Sequence, residues 1–374
     1  MLTIVVSGVN MVEGGILSIL RDVMKSLSHL KNEVELSVIV LVHDEKLIAG
    51  VADGFTILPF KDIKSSWMKR LRFEYVTSKK IAAFYRPDIW ISLHDMTPNV
   101  ACDYQVVYCH NPSPFYQLSF KEIFYDSTFT LFTIFYKYLY RINIRKNAFV
   151  IVQQNWIRRA FKSMYGVDCI VAYPKFAKNL SSHSGDHAAL PFHPKPGHIL
   201  FFYPSFPRVF KNMECVCEAA EILSHNFNNF SLLLTMNGSE NKYAAKIHQA
   251  YKHISQIEFL GIQPREMIEK YYRIADCLIF PSKLETWGLP VSEFIPYEKP
   301  ILIADEPYAH ETVGNYSKVK FFDVNDPGAL AEEMARLMDG QFVPDHNFDR
   351  QPAEPFYDNW DDLLRFLIDN RRTE

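Results

Sequence analysis

Short runs of aliphatic and β-branched residues alternate along the first half of the chain with segments of helical length. Apolar residues repeat on one face of the segment Gly15–Leu30, which predicts an amphipathic helix. Two more helices are predicted at Trp67–Tyr85 and Gln154–Tyr165. The apolar runs predict strands at Leu2–Ser7, Val34–Leu41, Phe55–Pro59, Ile89–Leu93, Gln105–Tyr108 and Ala148–Gln153. This alternation is typical of a parallel α/β sheet.

The pattern breaks at Tyr173–Gly197, where prolines, serines and histidines replace the periodic apolar positions, and then resumes. The second half predicts strands at His198–Tyr203, Ser231–Thr235, Ile257–Gly261, Cys277–Phe280, Pro300–Ala304 and Val319–Phe322. It predicts helices at Asn212–Leu223, Asn241–Ile254, Arg265–Arg273, Leu289–Tyr297 and Pro327–Met338. We therefore expect an α/β protein with two Rossmann-like domains that face each other across a cleft.

Composition narrows the class of protein. A net charge of −3 argues against binding of nucleic acid through overall charge. The six cysteines form no CxxC pair and lie mostly in apolar runs, which favours buried thiols in a reducing compartment. The N-terminal segment lacks the features of a signal peptide, and no apolar run is long enough to span a bilayer. We expect a cytoplasmic protein.

The segment Phe280–Val313 carries the most specific chemistry. A strand ends before Ser282, a loop carries Glu285, and a helix begins near Gly288 and Leu289. Glycine allows the backbone to approach a ligand closely, and a helix N-terminus offers unpaired N–H groups to an anion. Glu293 follows about two turns along that helix. From the residues alone, the two glutamates are either ligands for sugar hydroxyls or solvated surface residues.

Glu285 and Glu293 reproduce the E-x7-E motif, and the surrounding segment resembles the retaining glycosyltransferases of the GT-B fold, glycosyltransferase family 4 (group 1). The resemblance extends over Tyr271–Ser282, Glu285–Pro290 and Glu306–Gly314. It implies that Glu293 holds the ribose of a nucleotide and that Glu285 contacts the transferred sugar. Further donor-binding residues implied by it are Ser282, Trp287, Gly288 and Leu289. Trp287 stands where the family usually has phenylalanine.

The family also has an arginine and a lysine that bind the donor diphosphate. Lys211 matches the lysine, between the strand His198–Tyr203 and the following helix. The arginine usually lies five residues earlier, where this chain has Phe206, and Arg208 is our candidate replacement. Two cations beside a diphosphate would stabilise the leaving group without a metal. No D-x-D motif ends a strand, so we predict neither a metal nor another cofactor beside the nucleotide diphosphate sugar.

The first half offers a second group of candidates. Gly14 and Gly15 lie where the first strand turns into a helix and resemble the glycine loop of the family, although any strand-to-helix turn would also favour glycine. His110 follows the strand Gln105–Tyr108 and resembles a family histidine that lies near the transferred sugar. His94 and Asp95 follow the preceding strand, and we expect them at the same cleft.

Aromatic residues are concentrated in Phe115–Tyr140, close to the basic segments Lys61–Arg72 and Arg141–Lys146. We hypothesise that residues 115–146 contact the inner membrane and admit a lipid-linked acceptor. The alternatives are a helix buried in its domain or a contact between two copies of the chain.

The resemblance implies a retaining hexosyltransferase that uses a nucleotide diphosphate sugar and a saccharide or lipid-linked saccharide acceptor. It also implies a role in bacterial surface polysaccharide synthesis. A sugar-nucleotide epimerase of the same fold and a non-catalytic sugar-nucleotide-binding protein are the alternatives. The predicted domains are an acceptor domain at 1–175, a linker at 176–197 and a donor domain at 198–350. A crossover helix at 351–374, which includes Trp360, is expected to pack back on the first domain.

Overall fold

A computed structural model describes residues 1–118, 120–123, 125–174, 192, 195–347 and 351–370, with only the backbone of residues 120, 121, 127 and 128. The chain divides into two compact units. The first unit comprises Met1–Phe115, Thr133–Lys175 and Pro352–Glu374, and the second comprises Tyr116–Phe132 and Phe176–Gln351. The predicted linker, 176–197, lies outside the described residues except at 192 and 195–197.

The elements of the first half follow one another as an α/β chain. They are β1 (Leu2–Gly8), α1 (Gly14–Leu30), β2 (Leu36–Val42), β3 (Thr56–Pro59), α2 (Trp67–Arg72), α3 (Ser78–Tyr85), β4 (Ile89–Ser92), β5 (Tyr104–Cys109), α4 (Phe120–Ile123), α5 (Ser127–Arg141), β6 (Phe149–Val152), α6 (Asn155–Tyr165) and β7 (Cys169–Ala172).

The second half continues the same alternation. It contains β8 (Ile199–Tyr203), α7 (Met213–Ser224), β9 (Phe230–Leu234), α8 (Lys242–Tyr251), β10 (Ile257–Phe259), α9 (Arg265–Ile274), β11 (Cys277–Phe280), α10 (Leu289–Phe294), β12 (Ile301–Ala304), α11 (Ala309–Val313), β13 (Val319–Phe322), α12 (Pro327–Met338), β14 (Phe356–Tyr357) and α13 (Trp360–Asn370).

The sheet of the first unit is parallel and has the strand order β14-β7-β6-β5-β4-β1-β2-β3. β1 lies inside the sheet, where Val5 is paired with Ile39 of β2 on one side and Trp90 of β4 on the other. The chain leaves β1 in one direction through β2 and β3 and returns to the other side at β4. The strand order therefore reverses between β1 and β4, which is where open α/β sheets bind ligands.

Helices α1 and α13 share the core on one face of this sheet. The apolar face predicted for α1 is buried through Leu20, Val23, Met24 and Leu27, beside Leu363 of α13. Each such side chain stabilises the unit by roughly 1.5–3 kcal/mol when it leaves water. Gly8 fits this packing because a Cβ there would lie 2.8 Å from the Leu20 side chain.

The sheet of the second unit is also parallel, in the order β10-β9-β8-β11-β12-β13. Here the chain runs outward from β8 to β10 and then returns to β11 on the opposite side. The reversal therefore lies between the neighbouring strands β8 and β11. The strands themselves are almost entirely buried, as expected of a parallel sheet covered on both faces.

The predicted fold class, two parallel α/β units, is confirmed, and all twelve predicted strands are present within two residues at each end. The helix predicted at Trp67–Tyr85 is wrong in one respect, because a π turn at Phe73–Thr77 separates α2 from α3. The short strands β7 and β14 are additional to the predicted ones. Residues 116–132, assigned from the sequence to the first domain, group with the second unit.

Candidate functional site

The loops that follow β8 and β11 carry the donor-site candidates of the second unit. β8 leads through Arg208 to a 3-10 turn that ends at Lys211, and α7 then begins. β11 leads through Ser282 and Glu285 to α10. Because the two strands are neighbours at the reversal of strand order, both loops lie at the same edge of the sheet.

Lys211 and Glu285 meet at this edge. The Lys211 Nζ is paired with a carboxylate oxygen of Glu285, and their side chains are 17% and 13% exposed, respectively. Lys211 also lies over the rings of Phe210 and Phe280, at 5.5 and 5.7 Å from the centroids. A half-buried cation beside a carboxylate and aromatic faces can bind an anionic group and, next to it, hydroxyl groups.

The loop around this pair is held by buried contacts. The Ser282 hydroxyl is 3.3 Å from the carbonyl oxygen of Phe210, so it links the two loops. Trp287 is buried, donates to Ser292 and accepts a hydrogen bond from Thr312 through its carbonyl oxygen. Ser282 and Trp287 are therefore placed to position the loop through these contacts. Their predicted contact with the donor stays a prediction.

Gly288 and Leu289 lie at the beginning of α10. Gly288 has a φ of +91°, a conformation that other residues rarely adopt, and it precedes the first residue of the helix, Leu289. The positive φ alone therefore accounts for a glycine at position 288, without any contact to a ligand. The helix has only six residues, so we assign it no anion site of its own.

Glu293 lies on the same short helix and is bound by two partners. Arg265 Nη2 lies 2.9 Å from one oxygen of Glu293, and the Tyr272 hydroxyl donates to the other at 3.2 Å. Burial raises the pKa of the Glu293 carboxyl, whereas the charge of Arg265 lowers it. The E-x7-E motif thus places Glu285 beside Lys211 and Glu293 beside Arg265. A ribose at Glu293 would compete with these partners.

Arg208 contacts a different residue from Lys211. Its Nη1 lies 2.9 Å from Asp126 Oδ2, and the Arg208 side chain is 40% exposed. Nearby, Lys283 follows Ser282 and its backbone N–H donates to the carbonyl oxygen of Phe210 at 2.8 Å. The sequence gives no indication of Lys283, because no periodicity or spacing distinguishes one loop lysine from another.

The candidates of the first unit lie at its own reversal of strand order, between β1 and β4. Gly14 and Gly15 begin α1, and Gly14 has a φ of +62°; a Cβ at Gly14 would meet no other atom within 4 Å. A residue with a side chain would therefore be strained at Gly14 by its backbone rather than by crowding. The first N–H groups of this 17-residue helix have no partner inside the helix.

Asp95 organises the residues after β4 and β5. Its carboxylate accepts hydrogen bonds from the backbone N–H groups of His110 and Asn111, at 2.7 and 3.1 Å. It also accepts from the hydroxyls of Tyr140 and Tyr136, at 2.9 and 3.0 Å. His110 Nδ1 lies 3.4 Å from the same carboxylate. Asp95 is buried and holds the loop that carries His110.

His94 is buried and bound on both ring nitrogens. Arg70 Nη2 lies 2.6 Å from Nδ1, and Ser7 Oγ lies 2.8 Å from Nε2. Because a guanidinium only donates, Nδ1 accepts and the proton is on Nε2, which donates to Ser7. Burial lowers the pKa of His94, with Arg70 acting in the same direction, so the ring is neutral. Arg70 is in turn 2.8 Å from buried Glu74.

The structure thus groups the predicted residues into two sets, one at each sheet. Lys211, Glu285 and Ser282 meet in the second unit, with Arg208 directed to Asp126. Asp95 and His110 meet in the first unit, with His94 directed into its interior. No helix among the described residues is long and apolar enough to cross a membrane.

Comparison with known proteins places this arrangement in a class. WaaB, a galactosyltransferase of the lipopolysaccharide outer core in its apo form, superposes with a TM-score of 0.65 at 12% identity, over 99% of this chain and 100% of WaaB. A glycosyltransferase from Rickettsia africae ESF-5 gives 0.63 at 15% identity, over 99% and 94% of the two chains. Anabaena Alr3699/HepE, solved with UDP and glucose, gives 0.63 at 14%, over 91% of each.

The fold is that of the GT-B glycosyltransferases. Residues 188–352 match the family model described as "Glycosyl transferases group 1". This segment contains Lys211, Glu285 and Glu293, and the predicted resemblance to the group 1 glycosyltransferases is confirmed over it. A comparison with curated protein sequences gave no match.

Proposed function

We propose that this protein transfers a hexose-type sugar, with retention of the anomeric configuration, from a nucleotide diphosphate sugar to a saccharide or lipid-linked saccharide. The proposed setting is the cytoplasmic synthesis of a bacterial surface polysaccharide. The observation that carries the proposal is the pair Lys211–Glu285 at the reversal of strand order in the second unit. The family match over residues 188–352 supports it.

In the proposed complex, Lys211 binds the donor diphosphate and Glu285 accepts hydrogen bonds from the transferred sugar. Donor binding would thus exchange the Lys211–Glu285 contact for a charge pair between Lys211 and the diphosphate and for hydrogen bonds from sugar hydroxyls to Glu285. Glu293 would accept from ribose hydroxyls after yielding part of its contact with Arg265 or Tyr272. UDP-sugars are the first donors to test, because the similar Anabaena protein was solved with UDP and glucose.

The proposed reaction needs no nucleophile from the protein. The bond from the anomeric carbon to the diphosphate oxygen breaks while the acceptor oxygen bonds to the same face of that carbon. The acceptor proton passes to the departing phosphate oxygen. Lys211 lowers the barrier by stabilising the negative charge that develops on this leaving group. His110, held by Asp95, is proposed to orient the transferred sugar.

A thermal-shift screen tests the donor site. Wild type is heated with UDP, GDP, ADP and their common sugar conjugates, because a ligand that binds only the native state raises Tm. Lys211→Ala should lose the shift relative to its own ligand-free Tm, and Lys252→Ala, which changes an exposed lysine of the same unit, should keep it. If none of these nucleotides shifts wild type, the donor proposal fails.

Product analysis separates the proposed transferase from the alternatives. With donor and acceptor, proton NMR should detect a new glycoside with the anomeric configuration of the donor. With donor alone, an epimerase would form the isomeric nucleotide sugar, whereas the proposed enzyme would not. Binding without either product would favour a non-catalytic protein, and a product with inverted configuration would overturn the retaining mechanism.

We further propose that the first unit contacts the inner membrane. The part of α5 that belongs to the first unit begins at Thr133. It exposes Ile134, Phe135 and Tyr138, whereas Tyr136 and Tyr140 are buried. On α2, Trp67 and Met68 are also exposed, and Trp67 is in edge contact with Tyr136. The basic side chains Lys64, Lys69 and Arg72 of the same segment are exposed, whereas Arg70 is buried. Apolar and basic residues side by side favour an anionic lipid surface over water.

Flotation with vesicles that contain phosphatidylglycerol tests this contact. We expect binding at low salt, its loss in Phe135→Ser/Tyr138→Ser, and its retention in Phe84→Ser, where another exposed aromatic residue is changed. Absence of wild-type binding at low salt would refute the membrane contact. A change of oligomeric state in the double variant would instead support a contact between two copies of the chain.

A further inference from the structure

Residues 116–132 contact two loops and helix α8 of the second unit through three polar pairs. Asp126 pairs with Arg208 at 2.9 Å. Glu122 pairs with Lys283 at 3.5 Å. The Tyr125 hydroxyl accepts a hydrogen bond from Lys246 at 2.8 Å, and the Lys246 ammonium lies 4.0 Å from the centre of the Tyr125 ring.

Apolar packing accompanies these pairs. The ring of Phe129 lies 4.8 Å from the ring of Phe210, the residue next to Lys211, and it also contacts Tyr116 at 5.3 Å. Phe129 is buried. Residues 116–132 are therefore bound to the candidate donor site by both polar and apolar side chains.

The two carboxylates are more buried than the cations they meet. The side chains of Glu122 and Asp126 are 12% and 10% exposed, whereas those of Lys283 and Arg208 are 26% and 40% exposed. Other groups fix the carboxylates: the Tyr116 hydroxyl donates to Glu122 at 2.7 Å, and the Phe129 N–H donates to Asp126 at 2.9 Å. Fixed, partly desolvated carboxylates bind cations more strongly than mobile surface ones.

Arg208 and Lys283 belong to the two loops that also carry Lys211 and Glu285. Arg208 lies three residues before Lys211. Lys283 lies two residues before Glu285, and its backbone is bound to Phe210. A diphosphate at Lys211, as in the proposed function, would thus lie near two further cations that are already paired with carboxylates.

We propose that Lys283, together with Arg208, binds the donor diphosphate, and that Glu122 and Asp126 compete with it for these two cations. The inference rests on the proposed function, because it assumes that a diphosphate binds beside Lys211. Donor binding then requires the exchange of two carboxylate contacts for two phosphate contacts. The carboxylates lower the affinity for donor and for the nucleotide product alike, which speeds product release.

Isothermal titration with UDP and with inorganic pyrophosphate tests the competition. Glu122→Gln/Asp126→Asn should bind both probes about tenfold more tightly than wild type, equivalent to about 1.4 kcal/mol. The matched control is Glu332→Gln/Glu266→Gln, which removes the same two charges from exposed positions on α12 and α9. An equal gain in the control would mean that net charge, and not competition, is responsible. Unchanged affinity in Glu122→Gln/Asp126→Asn would overturn the competition.

The role of Lys283 has a separate test. Lys283→Met should weaken UDP binding about tenfold, with no change for uridine, because the lysine contacts phosphate only. Lys283→Arg should restore UDP binding, since it retains the charge. Equal weakening for uridine and UDP would indicate a merely structural role. If wild type binds none of UDP, GDP or ADP, the proposed function fails; if it binds one of them and these variants do not change that binding, only this inference fails.

Discussion

The loop that carries His110 depends on a single carboxylate, and its removal should destabilise the first unit by a calculable amount. Asp95→Ala removes the acceptor for two backbone N–H groups and two tyrosine hydroxyls. Asn111 N–H retains the Tyr140 hydroxyl at 3.0 Å as a partner. The Tyr140 hydroxyl likewise retains the carbonyl oxygen of Asn111 at 3.0 Å. The His110 N–H loses its acceptor, which costs about 1–3 kcal/mol.

The backbone conformation at position 95 adds a smaller cost to the destabilisation of Asp95→Ala. Asp95 has a φ of +71°, which asparagine and aspartate tolerate better than alanine does, by about 1 kcal/mol. We therefore expect about 3 kcal/mol of destabilisation for Asp95→Ala. Asp95→Asn keeps one acceptor oxygen and can donate to Tyr136, so we expect about 1–2 kcal/mol. Against a usual domain stability of roughly 5–15 kcal/mol, the alanine variant should lose a measurable share of its stability and remain folded.

Urea unfolding followed by tryptophan fluorescence can report on the first unit alone. In a Trp287→Phe background, the remaining tryptophans all belong to that unit: Trp67, Trp90, Trp156 and Trp360. Asp103→Asn, at an exposed position on the same unit, is the control. If Asp95→Ala unfolds within 1 kcal/mol of Asp95→Asn, as roughly measured by linear extrapolation, the assignment of Asp95 as the organising residue is refuted.

Two further predictions concern buried polar residues. Burial raises the pKa of Glu74 from 4.5 to about 7 despite Arg70, so its stabilising contribution is full below pH 4.5 and is lost as the pH rises through 7. The free energy of unfolding should therefore fall by about 3 kcal/mol between pH 4.5 and 8, and Glu74→Gln should reduce this fall. If the free energy of unfolding of Glu74→Gln depends on pH as strongly as that of wild type, the raised pKa of Glu74 is contradicted. Asn212→Ala should destabilise the second unit by about 2 kcal/mol, and Asn212→Gly by less, because Asn212 has a φ of 55° and donates to Val324. An equal loss of Tm in Asn212→Ala and Asn212→Gly would show that backbone strain of alanine at position 212 does not contribute.

Local patterns in the sequence predict most elements because burial in a parallel sheet imposes continuous apolar runs. The strand Cys277–Phe280 is predicted to the residue for this reason. β14 has only two residues, too few to form a pattern. The π turn at Phe73–Thr77 also escapes prediction, because its residues continue the helical pattern on both sides.

The sequence likewise predicts some contacts of the candidate site and not others. The resemblance to the glycosyltransferase family implies that Lys211 and Glu285 serve one site, and the structure brings them together. The pairing of Arg208 with Asp126 joins residues 82 positions apart, so no local pattern indicates it. His94 has the sequence setting of an exposed strand end, yet the buried Arg70, 24 positions earlier, makes it an interior residue.

The first unit is completed by the last described residues of the chain. β14 pairs with β7, and α13 packs on α1, with Trp360 beside Tyr108. During synthesis on the ribosome, the first 175 residues therefore emerge without the strand and helix that cover part of their core. The second unit, by contrast, has its whole sheet available before β14 is made. The nascent first unit must keep apolar surface near Tyr108 exposed until α13 has been made, and exposed apolar surface of this kind favours aggregation of incompletely synthesised chains.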